Sequence, residues 1–227
     1  FFMFCKTAWP SIPDLAIAKM VAGVEVDLFR PDDELKRLAR WAVDNGVDGA
    51  FASRDVDKTC EALKATDKGK TWISEFQKSA EPWFNFTDGS GFYHTDKIWI
   101  ENVEIPFDFL RNYITMLNEG GDLARPVEAI HAERDRIVNE YIELLTSDED
   151  REAFQGKLGL ARVVFPYVEN HNFYVEHWSH SVLWRKMRAL GQIFADAGFI
   201  AEANDIFYLK RHEVPDALFD LYSSWAT

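Results

Sequence analysis

The 227 residues are 47% hydrophobic and include 8 Trp, 7 Tyr and 18 Phe, which excludes a disordered chain and allows one large domain or two small ones. A formal net charge of −13 argues against nucleic acid and against anionic membrane surfaces as partners, since both are met by basic patches. No run of 18 apolar residues could span a membrane, and Cys5 and Cys60 are too few for a disulfide framework or a zinc site, which fits a reducing cytoplasm. The opening FFMFCKTAWP has neither an initiator Met nor a signal-peptide layout, so a piece of a larger polypeptide is expected.

After the punctuation of Trp9-Pro10 and Ile12-Pro13, the apolar segment 15–26 is expected to be helical. Pro31-Asp32-Asp33 puts acids in a first helical turn ahead of Leu35, Leu38, Ala39, Trp41 and Ala42, and that helix should stop near Asn45-Gly46. Further helices fit 55–65, with Val56, Cys60 and Leu63 inward, and 72–79. The character then changes. Residues 82–106, PWFNFTDGSGFYHTDKIWIENVEIP, lie between prolines, are rich in aromatics and turn at Asp88-Gly89-Ser90-Gly91, so they read as a long loop or short hairpin. Such loops carry function more often than the elements they join, which makes Trp83, Asn85, Phe92, Tyr93 and His94 candidates. The structural alternative is a loop whose aromatics plug onto the helices.

Helices resume over 107–118 and, after Gly120-Gly121, over 124–146, and Ser147 before Asp148-Glu149-Asp150 marks the cap of a short helix. The longest uninterrupted pattern is 167–198, which stops at Gly191 and Gly198. It carries one apolar stripe through Leu183, Met187, Leu190 and Phe194 and another through Val168, Val175, Val182 and Ile193, as in a helix buried between neighbours. Glu169, Glu176 and His180 fall on the line that Leu183 and Met187 continue. Ionisable groups on a core-facing line need partners, and the cluster with His171 and His177 points to a ligand site. Either Glu176 or Glu169 should contact a His or Arg, with His94 the first choice. Beyond it, 206–209 is a short apolar β-like run and 213–225 a last amphipathic helix. The expected fold is mainly α, a helical domain around a long buried helix at about 167–197, with 1–80 as an N-terminal helical segment and 81–227 as a helical acceptor-binding region, the two forming one domain.

No GxxxxGK[ST], GxGxxG or nucleophile elbow is present. The two His of Glu176-His177-Trp178-Ser179-His180 are three apart with the Glu outside them, which does not match HExxH. Glu128-x-x-His131 is half of a bundle di-iron motif without its second half, so no metal ligands are assigned.

Three stretches together carry a resemblance: PWFNFTDGSGFYHTDKIWIENVEIPF (82–107), ENHNFYVEHWSHSVLWRKMRALG (169–191) and NDIFYLKRHEVPDAL (204–218). They resemble the phosphoenolpyruvate-utilising dikinase family, nearest its aryl-substrate branch of phenylphosphate synthases and hydroxyacetophenone-type dikinases. The resemblance implies an ATP-binding module that phosphorylates a His on a mobile domain, which then swings to an acceptor. This chain departs from the family pattern by lacking the ATP-binding portion and the Gly-rich phosphohistidine segment. Ser179-His180-Ser181 has no glycine pair before it and sits in mid-helix, where a mobile relay histidine would not fit. What remains is the acceptor-binding helical region, with ATP and Mg2+ bound outside this chain, a small aromatic substrate, and ATP-binding and phosphohistidine domains or subunits as partners.

A phenolic acceptor is flat, apolar and bears one hydroxyl, so its pocket should combine aromatics with few polar groups. Its deprotonation needs a base near neutral pKa, for which His94, His171, His177 and His180 are nominated, oriented by Glu169 and Glu176. Arg185 or Arg188 would clamp the transferring phosphoryl group, and Trp83, Asn85, Phe92 and Tyr93 would hold the ring. Two other classes stay open: a non-catalytic helical scaffold or assembly subunit, and a carboxylate/His metal enzyme of bundle type.

Overall fold

Side-chain caps set where several of the helices begin. In the computed structural model, which describes residues 1–223, Asp55 accepts hydrogen bonds from the amides of Asp57 and Lys58, Thr66 from Gly69, and Ser147 from Asp150. The α-helices are α1 (Phe2–Ala8), α2 (Asp14–Met20), α3 (Arg30–Asp44), α4 (Val56–Lys64), α5 (Asp67–Trp83), α6 (Glu104–Asn118), α7 (Val127–Glu143), α8 (Asp148–His171), α9 (His180–Asp196) and α10 (Glu213–Tyr222). Among the described residues there is no β-strand, so the fold is mainly α. None of these helices is long and apolar enough to cross a membrane.

The apolar faces close three cores. The largest joins α3, α4, α5 and α6 around Leu35, Leu38, Leu63, Trp72, Phe107 and Leu110. Within it Phe51 meets Trp72 edge-on at 5.0 Å, and the Trp72 indole donates to the Leu38 carbonyl at 3.0 Å. The second joins α1, α2, α7 and α8 around Ile17, Met20, Ile137 and Phe154. The third packs α9 against a 3-10 segment (Ala203–Tyr208) and α10 through Phe194, Ile206 and Ala217.

Several expectations need correction. The helix expected over 15–26 ends at Met20, and that expected over 124–146 is confined to Val127–Glu143. The helix after Ser147 is long, and it continues through a π-helical stretch (Asn172–Ser179) into α9, so one helical path runs from Asp148 to Asp196. The apolar run at 206–209 closes the 3-10 segment, with Leu209 as its C-cap, because Glu202 and Asp205 make a reciprocal capping box at its start. The last helix reaches Tyr222, and the expectation for 224–225 lies outside the described residues.

The central helix at about 167–197 is not buried. Val168 is 57% exposed, Ile193 56% and Leu183 46%. The two ends of the helical path serve different cores, Phe154 and Leu158 on one side and Phe194 on the other, while Phe173, Ser181 and Gly191 are the buried positions of the span between. The π-helical stretch adds a second reason. Its i→i+5 bonding widens each turn, so positions that share a line at 100° per residue drift apart.

Candidate functional site

The aromatic segment after α5 folds back on itself as an irregular hairpin. Backbone bonds run from Asp88 to Lys97 at 3.0 Å, Trp99 to Phe86 at 2.9 Å and Ile100 to Phe84 at 3.0 Å, around an antiparallel bridge between Thr87 and Ile98. Phe84 and Ile98 are fully buried at its root. At its tip the Gly91 amide donates to the Asp96 carboxylate at 2.9 Å, and the Lys97 amide to Asp88 at 2.9 Å.

This hairpin is held flat against the helical path by three contacts. Gly91 has φ +83 and lies so close to the helix that a Cβ there would stand 1.9 Å from the Glu176 carbonyl oxygen; glycine alone fits. The Trp184 indole donates to the Gly91 carbonyl at 3.1 Å. The His177 ring stacks on Phe86 at 4.1 Å and 23°, with Nδ1 2.9 Å from the Thr87 hydroxyl and in reach of the Thr87 amide at 3.4 Å. An amide N–H can donate only to a bare ring nitrogen, so Nδ1 accepts and His177 is neutral. Burial lowers its pKa, with Glu176 and Asp96 opposing weakly.

From that anchor a ladder of rings leads to a cleft. Phe92 lies 5.2 Å from His180, His180 stacks near-parallel on Trp184 at 6.0 Å, and Trp184 meets His94 edge-on at 6.3 Å. His94 stacks in turn on Phe207 at 4.1 Å and 24°. The cleft beyond has a volume of about 690 Å³ and is walled by the hairpin, α9 and the 3-10 segment. The close approach of that segment to α9 depends on Gly191, where a Cβ would meet the Ala203 carbonyl at 2.0 Å. Arg188 enters from α9, closely paired with Glu101 and donating to the His94 carbonyl at 3.3 Å. Neither ring nitrogen of His94 has a hydrogen-bond partner among the described residues, so both are free to face a ligand.

The remaining sequence candidates go elsewhere. Asn85 is fully buried, donating to Glu81 at 2.5 Å and accepting from Arg185 at 2.6 Å, while Arg185 also pairs with Glu81 at 2.9 Å. Trp83 packs on Phe173 at 5.2 Å, and Tyr93 is exposed. His180 donates from Nδ1 to the Glu176 carbonyl at 3.1 Å, one helical turn back. Glu176 has its partner on its own helix, with the His171 ring 3.8 Å away, rather than His94 as expected. Glu169 lines a separate apolar cavity. Lys97, Glu101 and Phe207, which line the cleft, were not singled out from the sequence, although all three lie inside the quoted stretches 82–107 and 204–218. Their spacing carries no signal that they meet.

Among the described residues no group of three or more His, Cys, Asp or Glu is gathered to hold a metal ion. His131 donates from Nε2 to the Gly23 carbonyl at 2.7 Å, a bond that ties α7 to the segment after α2. The cleft therefore presents a histidine with free nitrogens, a guanidinium, an ammonium from Lys97 and an aromatic wall, opposite the carboxylates of Asp96, Glu101, Glu202 and Asp205. Such a set can take a proton from a hydroxyl and hold an anionic group beside it.

Comparison with known proteins finds a distant likeness to a protein named as a phosphotransferase. Over 172 residues the chain is 21% identical to a Bacillus subtilis (strain 168) protein named uncharacterized phosphotransferase YvkC, a match that takes in 74% of this chain and 20% of that protein. The chain thus spans about a fifth of the length of the relative it matches. No protein-family model matches the chain, and no solved structure matches it.

Proposed function

We propose that this chain is the acceptor-binding region of an ATP-dependent dikinase that phosphorylates a phenolic hydroxyl through a phosphohistidine on another domain or chain. What carries the reading is that the three stretches resembling the dikinase family, at 82–107, 169–191 and 204–218, each contribute to one cleft, through His94, Arg188 and Phe207. The distant likeness to a phosphotransferase supports it.

ATP and Mg2+, in this reading, are bound outside the chain, where ATP would supply the phosphoryl group and Mg2+ would neutralise its charge. The short glycine turn at 89–91 does not suit a phosphate: the Gly91 amide is spent on Asp96 and its α-carbon lies against the helix. The chain's own part is to hold the acceptor. The phenol ring packs beside Phe207, His94 removes the hydroxyl proton as the phenolic oxygen attacks the phosphohistidine phosphorus and the N–P bond breaks to release the relay histidine, and Arg188 swings from Glu101 onto the phosphoryl oxygens. Of the four nominated histidines His94 suits the role best, since the Nδ1 of His177 is occupied by Thr87, His180 is tied to its own helix, and His171 lies beside Glu176.

Titration of phenol into the chain, followed by the His94 ring signals in NMR, tests the reading. Phenol is expected to shift those signals, with cyclohexanol at least tenfold weaker and Phe207→Ala weakening phenol to a similar degree. In the complete polypeptide, His94→Ala should lower kcat by about 10²–10⁴-fold with little change in KM. Phenol that leaves His94 untouched, or a His94→Ala enzyme with unchanged kcat, would overturn it.

A further inference from the structure

Away from that cleft, the ends of α2 and α8, the start of α7 and the segment between α2 and α3 enclose a second cavity of about 290 Å³. Its walls are apolar, among them Val127, Ile130 and Phe165, with Phe29 at one side. A dry apolar cavity of about 150 Å³ is already enough for one benzene ring. Three charged side chains line it, Glu25, Arg125 and Glu169, and they differ in what they have to do. Arg125 is committed: it pairs with Asp33 at 3.1 Å and Glu25 at 3.9 Å and lies 4.3 Å over the Phe29 ring. The Glu169 carboxylate has no hydrogen bond and no ion pair among the described residues.

A half-buried carboxylate against an apolar wall loses hydration without gaining a partner. The charged lining is two carboxylates, Glu25 and Glu169, against the guanidinium of Arg125, which is itself paired with Asp33 and Glu25. A ligand that fits must therefore be small and apolar over most of its surface and carry one cationic donor for Glu169. We infer that this cavity is a binding site for a small aryl- or alkyl-ammonium compound, its apolar body between Phe165 and Val127 and its ammonium on Glu169. The site is separate from the cleft that holds His94, and the inference does not rest on the phosphotransfer reading.

Benzylammonium, benzyl alcohol and benzoate are three probes of one shape and different charge. Titrated into the chain, with the Val127 and Ile130 methyl signals as reporters, benzylammonium should bind at least tenfold more tightly than benzyl alcohol, and benzoate should bind weakest. Glu169→Gln keeps the shape of the side chain and should bring benzylammonium down to the level of the alcohol. Val127→Phe, which fills the cavity, should weaken all three. The inference is overturned if benzylammonium leaves the Val127 and Ile130 methyls unshifted, if the three probes bind alike, or if Glu169→Gln keeps the tenfold preference. The wild-type series decides the matter even if one of the variants does not fold.

Discussion

The close approach of the hairpin to the helical path makes Gly91→Ala a sharp perturbation. Two costs add there. An L-residue held at φ +83 costs about 1–2 kcal/mol in the left-handed region. The new Cβ would also stand 1.9 Å from the Glu176 carbonyl oxygen, so hairpin and helix have to separate. Separation stretches the bond from the Trp184 indole to the Gly91 carbonyl, worth about 1 kcal/mol net, and loosens the His177–Phe86 stack, worth about 0.5–1.5 kcal/mol. The expected loss is about 3–4 kcal/mol. Gly120→Ala is the matched control, because Gly120 has φ +81 with nothing within 4 Å of its would-be Cβ. It should show the backbone cost alone, about 1–2 kcal/mol. Urea unfolding gives the global values, and hydrogen exchange at the Asp88 and Trp99 amides, which pair across the hairpin, reports whether the hairpin opens by itself. If Gly91→Ala and Gly120→Ala agree within about 0.5 kcal/mol and the hairpin amides exchange alike, the contact between hairpin and helix does not hold the site together.

Two further outcomes are expected in the same neighbourhood. Arg185→Met leaves the fully buried Asn85 without the donor to its side-chain oxygen and should cost about 1–3 kcal/mol in urea unfolding, whereas Arg40→Met, at an exposed pair with Asp122, should stay within about 0.5 kcal/mol; equal effects would refute the role of the buried amide. His177 is held neutral by burial with its pKa below the ordinary 6.5, so the unfolded chain takes up a proton first as pH falls. Stability from this group is intact above about pH 6.5 and declines as pH drops towards the folded pKa. Urea midpoints from pH 8 to pH 5 should therefore fall more steeply for the wild type than for His177→Gln, and parallel curves would contradict the assignment.

How much of the fold was legible in the sequence varies with the range of the interaction. Ser147 announces its helix because a cap acts on amides two or three residues away. Asn45-Gly46 stops α3 for the same local reason. The segment from Pro82 to Pro106 reads as a loop or hairpin from its glycine turn and lack of helical period, and a single antiparallel bridge with its flanking bonds is what forms. The central helix was legible as a helix but not in its phase or its burial. Periodicity assumes one rotation per residue along its length, and the π-helical stretch from Asn172 to Ser179 breaks that assumption without any proline or glycine to mark it.

The candidate site divides along the same line. His94 and Arg188 stand out in the sequence as residue types suited to a proton and a phosphoryl group, and they do line one cleft. Their meeting joins positions 94 apart, and the stack of His94 on Phe207 joins a hairpin tip to a segment beyond α9. Glu169, placed by helical geometry with Glu176 and His180, instead lines an apolar cavity beside Phe165 and Val127. Caps, turns and apolar periods are set by neighbours a few residues away, so the sequence by itself determines a mainly helical chain with one aromatic hairpin and the residue types available to a site. Which of those groups come within reach of one another depends on which apolar faces bury one another. That was decided only when α9 packed on the 3-10 segment through Gly191 and the hairpin lay down on the helix through Gly91.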